Sequence, residues 1–215
     1  MKKLLTLATI MLPSALAAPV TTVPADLFHP TPAKVEDLCK KAQTTAADTS
    51  LNALTRRVQQ VNDGGTADII FDGGVGGVNV QLQGVGVSAY NICAGRTTRL
   101  EAMPSTADLL AASPVLVYIN GSVPELANVR TWRAVLVLLG PDGKELARLT
   151  PSSASLGEPN YWKASCSGGR CVWRGGNVYR FTPASPFDTV LPAGSKLRVL
   201  ATFGQGVQQL DLGVK

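Results

Sequence analysis

The sequence predicts a mainly β protein, an antiparallel β-sandwich with a helical N-terminal portion, on three observations. The stretch Thr131 to Thr150, TWRAVLVLLGPDGKELARLT, holds two apolar runs joined by Gly140-Pro141-Asp142-Gly143. Pro141 sets φ where a turn needs it and Gly143 supplies whatever angle closure requires, so the stretch reads as a hairpin. From Val115 onward, short apolar runs alternate with turn residues, as in all-β sandwiches and barrels. Hydrophobic residues make up 45% of the chain and charged ones only 16%, a balance that suits a packed core and not a disordered chain.

The chain opens on Met1-Lys2-Lys3, an apolar run from Leu4 to Leu12, Pro13, and Ala15-Leu16-Ala17. Charge, short apolar core and small residues in that order make a secretory signal peptide over 1–17, and the run is too short to span a membrane. The expected protein is therefore secreted or periplasmic, soluble after cleavage near Ala17, with no integral membrane segment remaining. Losing Lys2 and Lys3 lowers the formal charge by two from +5. That modest charge argues for no polyanionic partner, and the remaining basic residues are scattered, with only Lys40-Lys41 and Arg56-Arg57 adjacent, so no nucleic-acid partner is expected.

Residues 18–33 carry four prolines among their first fifteen positions and read as an extended, mobile lead. Thr31-Pro32 then provides an N-cap and a first-turn proline, and Val35, Leu38, Cys39 and Ala42 recur at helical spacing through about Gln43. Leu51, Leu54, Val58 and Val61 predict a second helix, closed by Asn62-Asp63-Gly64-Gly65. Ala67 to Phe71 and the alternating Val78, Val80 and Leu82 predict strands. At Gly84-Val85-Gly86 the parity flips, which suggests a bulge or tight turn. Cys93 is expected at a strand end and Thr97–Glu101 as a further strand. Ser105 with Asp108 makes a capping box for a short helix that Ser113-Pro114 stops. Residues 34–112 thus form an α+β portion packed on a sandwich over 113–215. Its predicted strands are Val115–Ile119, the central hairpin, Tyr161–Ala164, Cys171–Arg174, Asn177–Thr182, Lys196–Phe203 and Val207–Leu212. The sandwich has the size of an immunoglobulin-like unit, about 100 residues, but not that family's pattern, since no cysteine pair spans it with a tryptophan between.

The cysteines are Cys39, Cys93, Cys166 and Cys171, an even number behind an export signal, which reads as two disulfides. Only Ser-Gly-Gly-Arg separates Cys166 from Cys171, which pairs them locally and leaves Cys39 for Cys93. A metal site is not expected, because His29 is the sole histidine and no C-x-x-C spacing occurs. The glycine-rich Asp72–Gly77 lacks the lysine and hydroxyl of a nucleotide loop and reads as a turn.

No motif identifies a reaction or a ligand, and no catalytic residue, cofactor or metal is assigned. A lone histidine cannot assemble a hydrolytic triad, and the carboxylates beside glycines suit turns. The aromatics Tyr161, Trp162, Trp173, Tyr179 and Phe181 crowd the second disulfide, with arginines interleaved. Such rings fill cores, but an exposed platform would suit sugar or peptide. Trp162, Arg170, Trp173 and Tyr179 are accordingly the candidate contacts for an unidentified protein or carbohydrate of the cell envelope. The expected function is an exported non-catalytic binding or structural module. The alternatives are a secreted inhibitor or ligand-capturing protein presenting the 166–171 loop, and a carbohydrate-active hydrolase. N-terminal sequencing of exported protein should find Ala18 first; retention of Met1 would contradict the leader.

Overall fold

The computed structural model describes residues 27–47, 69–71, 78–158, 160–187, 189, 194–203 and 207–211. The leader, most of the proline-rich lead, the helix expected from Leu51 to Val61 and the glycine-rich turn after Phe71 lie outside the described residues.

Helix α1 (Pro32–Ala47) starts at Thr31, whose Oγ1 accepts from the Lys34 amide at 3.3 Å and whose carbonyl accepts from that of Val35 at 3.1 Å. It runs four residues past the expected end and buries Val35, Leu38, Cys39 and Ala42. The next helix corrects the sequence reading. Helix α2 (Val85–Thr98) occupies the stretch expected to hold a bulge, the end of a strand at Cys93 and the start of another at Thr97. Its buried residues include Val85, Val87, Ala89, Tyr90, Cys93 and Ala94, which spread round the helix instead of forming one stripe. Burial on several sides hides the helical period, and packing overrides the strand preference of the valines. Gly84 caps α2 because a Cβ there would run into the Leu27 carbonyl, the group that accepts from the Val85 amide at 2.9 Å. Helix α3 (Thr106–Ala112) follows its capping box, with Ser105 Oγ accepting from the Asp108 amide at 3.1 Å. The Cys39–Cys93 disulfide joins α1 to α2 inside an apolar cluster shared with Leu109 of α3.

Among the described residues ten strands form two sheets, and every paired neighbour is antiparallel. The larger sheet runs β1 (Ile69–Phe71), β2 (Asn79–Gln83), β3 (Val115–Val123), β8 (Arg170–Phe181), β6 (Ser153–Ser155), with β7 (Tyr161–Ser167) paired along the other half of β8. The smaller runs β10 (Val207–Asp211), β9 (Lys196–Thr202), β4 (Arg133–Leu139), β5 (Glu145–Leu149). The β4–β5 turn is the predicted one, with the Gly143 amide donating to the Gly140 carbonyl at 2.9 Å and Gly143 at φ +80°. Val117 and Ile119 from β3, Tyr179 and Phe181 from β8, and Leu136, Leu138, Leu197 and Val199 from the smaller sheet belong to one buried cluster. A four-residue helix, α4 (Leu126–Val129), links β3 to β4.

Strand β8 corrects a second expectation, for the runs Cys171–Arg174 and Asn177–Thr182 are a single strand. Gly175 and Gly176 are not a turn. A Cβ on Gly175 would overlap the Asn160 carbonyl, and one on Gly176 would overlap the Asn120 amide, so both are sites of close approach. Strand β6, Ser-Ala-Ser, carries no apolar alternation that would mark it in the sequence. The lead is corrected too: Leu27 and Phe28 are buried in the main core, Phe28 meets Phe187 edge-on at 5.4 Å, and His29 Nε2 donates to the Phe187 carbonyl at 2.6 Å. The apolar side chains of Leu27 and Phe28, not the prolines on either side, decide where the end of this segment goes.

Two stability predictions follow from the core. Closing a loop of 54 residues stabilises by about 4 kcal/mol in the chain-entropy model, against about 2 kcal/mol for the 5-residue span of Cys166–Cys171. Replacing Cys39 and Cys93 together by alanine should lower the melting temperature more than replacing Cys166 and Cys171; the reverse order would contradict this. The Tyr161 hydroxyl is buried without a well-formed hydrogen bond, and burial, followed by the neighbouring Tyr179, pushes its pKa up to about 12 against a weak opposing pull from the Asn177 backbone. The fold therefore holds this proton more tightly than the unfolded chain, so its contribution is complete below pH ~10 and is lost as pH climbs towards 12. Tyr161→Phe removes an unsatisfied hydroxyl. It should leave the melting temperature at pH 7 unchanged or higher and move alkaline unfolding to higher pH; a fall of several degrees at pH 7 would show that the hydroxyl is bonded.

Candidate functional site

Strand β7 and the first half of β8 form a hairpin arm, flanked by the end of β3 as far as Trp173 and two-stranded beyond it. Its turn is Gly168-Gly169, at φ +56° and +78°, the pair of left-handed angles that a two-residue hairpin needs and that glycine adopts without strain. One pair further in, Cys166 and Cys171 lie directly opposite with Cα atoms 4.0 Å apart and are disulfide-bonded. Residues 162–170 are all exposed.

Register assigns the side chains to faces, because directly opposed residues share one. Trp162 stands opposite Arg174, Ser165 opposite Val172 and Ser167 opposite Arg170; Lys163 opposite Trp173 and Cys166 opposite Cys171 make the other face. The ladder shifts between Lys163 and Ser165, leaving Ala164 as the bulged residue. Trp162 is 59% exposed. Trp173 is half-buried against the edge of the main core, and the Lys163 ammonium sits 5.3 Å from its ring centroid, within cation–π range.

The four candidate contacts therefore separate. Trp162 and Arg170 are exposed on one face of the arm, and Trp173 flanks the core on the other. Tyr179 is 1% exposed, which corrects its inclusion: it lies an even number of residues from Phe181 and faces the core with it. Its hydroxyl accepts from Asn177 Nδ2 at 3.3 Å, and burial holds its pKa above the ordinary tyrosine value.

The arginines interleaved with the rings read as a solvent-facing alternation, and on β8 they follow it. Arg170, Arg174 and Arg180, all exposed, share the face that points away from the core, and among the described residues no hydrogen bond or ion pair engages their guanidinium groups. Neither Asp nor Glu occurs in any strand of this sheet. The signal was the alternation R-x-V-x-R over 170–174, resumed as V-x-R at 178–180, which a break placed at Gly175-Gly176 conceals.

At the far end of that row, α2 flanks the sheet and leaves a groove of about 810 Å³ lined by Asn91, Arg96, Arg99, Tyr118 and Arg180 among others. A second cavity of about 560 Å³, which includes His29, Ser152 and Ser153, shares Arg180 with it. Glu101 binds Arg96 at 3.1 Å and Arg99 at 2.6 Å, and the Arg99 contact holds its carboxyl below the usual carboxylate range. No carboxylate lines either cavity. Among the described residues no cluster of three or more His, Cys, Asp or Glu could hold a metal ion, and no helix is long and apolar enough to cross a membrane. The arrangement offers cationic and hydroxyl groups for binding. His29, the one histidine among the described residues, has its Nε2 engaged by the Phe187 carbonyl. The chain matches no family model, curated protein or solved structure with which it was compared.

Proposed function

We propose that the protein is an exported, non-catalytic binding module of the cell envelope, its two sheets packed as a sandwich and its recognition element the clamped β7–β8 arm. The observation that carries this reading is Trp162, an indole more than half exposed on a hairpin whose tip is closed by a disulfide. Tryptophan and arginine are enriched where proteins bind partners. A hairpin held by a cross-strand disulfide and a two-glycine turn loses little further freedom on binding, so contact energy is not spent on ordering it. The two disulfides suit the oxidising compartment to which a leader would deliver the chain.

A second reading draws on the tip itself: Arg170 projects from the clamped loop, as the loop of a secreted inhibitor would present a charged side chain. No comparable observation favours the hydrolase, whose paired carboxylates neither cavity provides.

The test is cosedimentation of the chain beginning at Ala18 with protein-free, insoluble envelope polysaccharide. Trp162→Ala should weaken binding about tenfold, the upper end of one ring's stacking contribution. Undiminished binding by that variant would contradict the reading. Inhibition of a protease, abolished by Arg170→Ala while Trp162→Ala has no effect, would establish the inhibitor instead.

A further inference from the structure

We infer that the ligand of this module is an acidic polysaccharide, bound along the outward row of β8 from the α2 groove to the arm. The inference rests on the binding-module reading and names its ligand class. Arg180, Arg174 and Arg170 all have the same parity on one continuous strand. At a rise of about 3.3 Å per residue, the first two stand roughly 20 Å apart and the second two roughly 13 Å. One small anion can meet only one of them, so a ligand that uses all three must be a polymer bearing repeated negative charge. Exposed guanidinium groups that have no acidic partner among the described residues provide bidentate donors for carboxylate or sulfate, and the absence of Asp and Glu from the strands β1–β3 and β6–β8 limits competition for them.

The surroundings of the row favour a glycan over a nucleic acid. Between Arg174 and Val178 the row has no side chain at Gly176, and the Asn120 amide lies there instead. The register puts Gln81 beside Tyr118 and Asn79 beside Asn120 on this same face. Amides that both donate and accept suit sugar hydroxyls. A single-strand nucleic-acid channel would stack successive bases on successive rings, whereas Trp162 is the one tryptophan on this row and Tyr118, at its other end, is half-buried.

The experiment is calorimetric titration of the chain beginning at Ala18 with polygalacturonate, galacturonate monomer, dextran and oligo-dT, at low and at physiological salt. Polygalacturonate should bind, more weakly as salt rises, and Arg170→Gln/Arg174→Gln/Arg180→Gln should reduce its affinity at least a hundredfold with the melting temperature unchanged. Dextran and the monomer should bind at least a hundredfold more weakly than the polymer. Equal binding by parent and triple variant, equal affinity for monomer and polymer, or tighter binding of oligo-dT would each overturn the inference. Retained, Trp162-dependent cosedimentation with neutral insoluble polysaccharide but none with polygalacturonate would overturn the acidic ligand while leaving the arm as the binding element.

Discussion

Asn177 is the polar group on which the rest of the architecture depends. It is fully buried in the middle of β8, and its amide is satisfied on every side: Nδ2 donates to the Val129 carbonyl at 2.6 Å and to the Tyr179 hydroxyl at 3.3 Å, while Oδ1 accepts from the Gly157 amide at 3.2 Å. Those bonds fasten α4 and the loop ahead of β7 to the central strand. A buried amide left without partners costs about 1–3 kcal/mol for each unsatisfied group, so the bonds specify one position for both segments. Gly175 and Gly176 follow from the same constraint. They let the chain entering β7 and the Asn120 side chain lie against β8 where any side chain would hold them off.

Fixing β8 in this way lets one strand serve two ends. Its second half pairs with β3 and β6 and sends Tyr179 and Phe181 into the core. Its first half leaves the core behind and is held by β7, the disulfide and a short overlap with the end of β3. The parity that buries the rings turns the arginines outward. Arm and groove are thus two ends of one outward row, and no separate domain is needed to align them. At the groove end the helical layer is secured by the other disulfide, inside a second cluster that meets the sheet through α2 and β3.

The local signals were legible because their causes are local. The Gly140–Gly143 turn, the Thr31 cap, the Ser105 box and the closeness of Cys166 to Cys171 each depend on a few neighbouring residues. Helix α2 was not legible, because its apolar residues answer to α1, to α3 and to the sheet at once. Nor was the continuity of β8, for a glycine pair demanded by close approach looks like a glycine pair demanded by a turn. That one misreading split a single outward row in two, although the alternation of arginines with rings was itself visible in the sequence. His29 and the residues before it show the same limit: an apolar pair among prolines gives no period, and only the core reveals where it docks.

The claim that β8 divides into a core-bound half and an arm is tested most directly by native-state hydrogen exchange. The amides of Asn177, Tyr179 and Phe181, together with those of Val117 and Ile119, should exchange only through global unfolding. Those of Lys163, Ser165 and Val172 should exchange through local opening at a clearly lower free energy, and reduction of Cys166–Cys171 should lower the second set alone. Exchange of both sets at one free energy, falling together on reduction, would show that the arm is part of the core's cooperative unit and contradict the account.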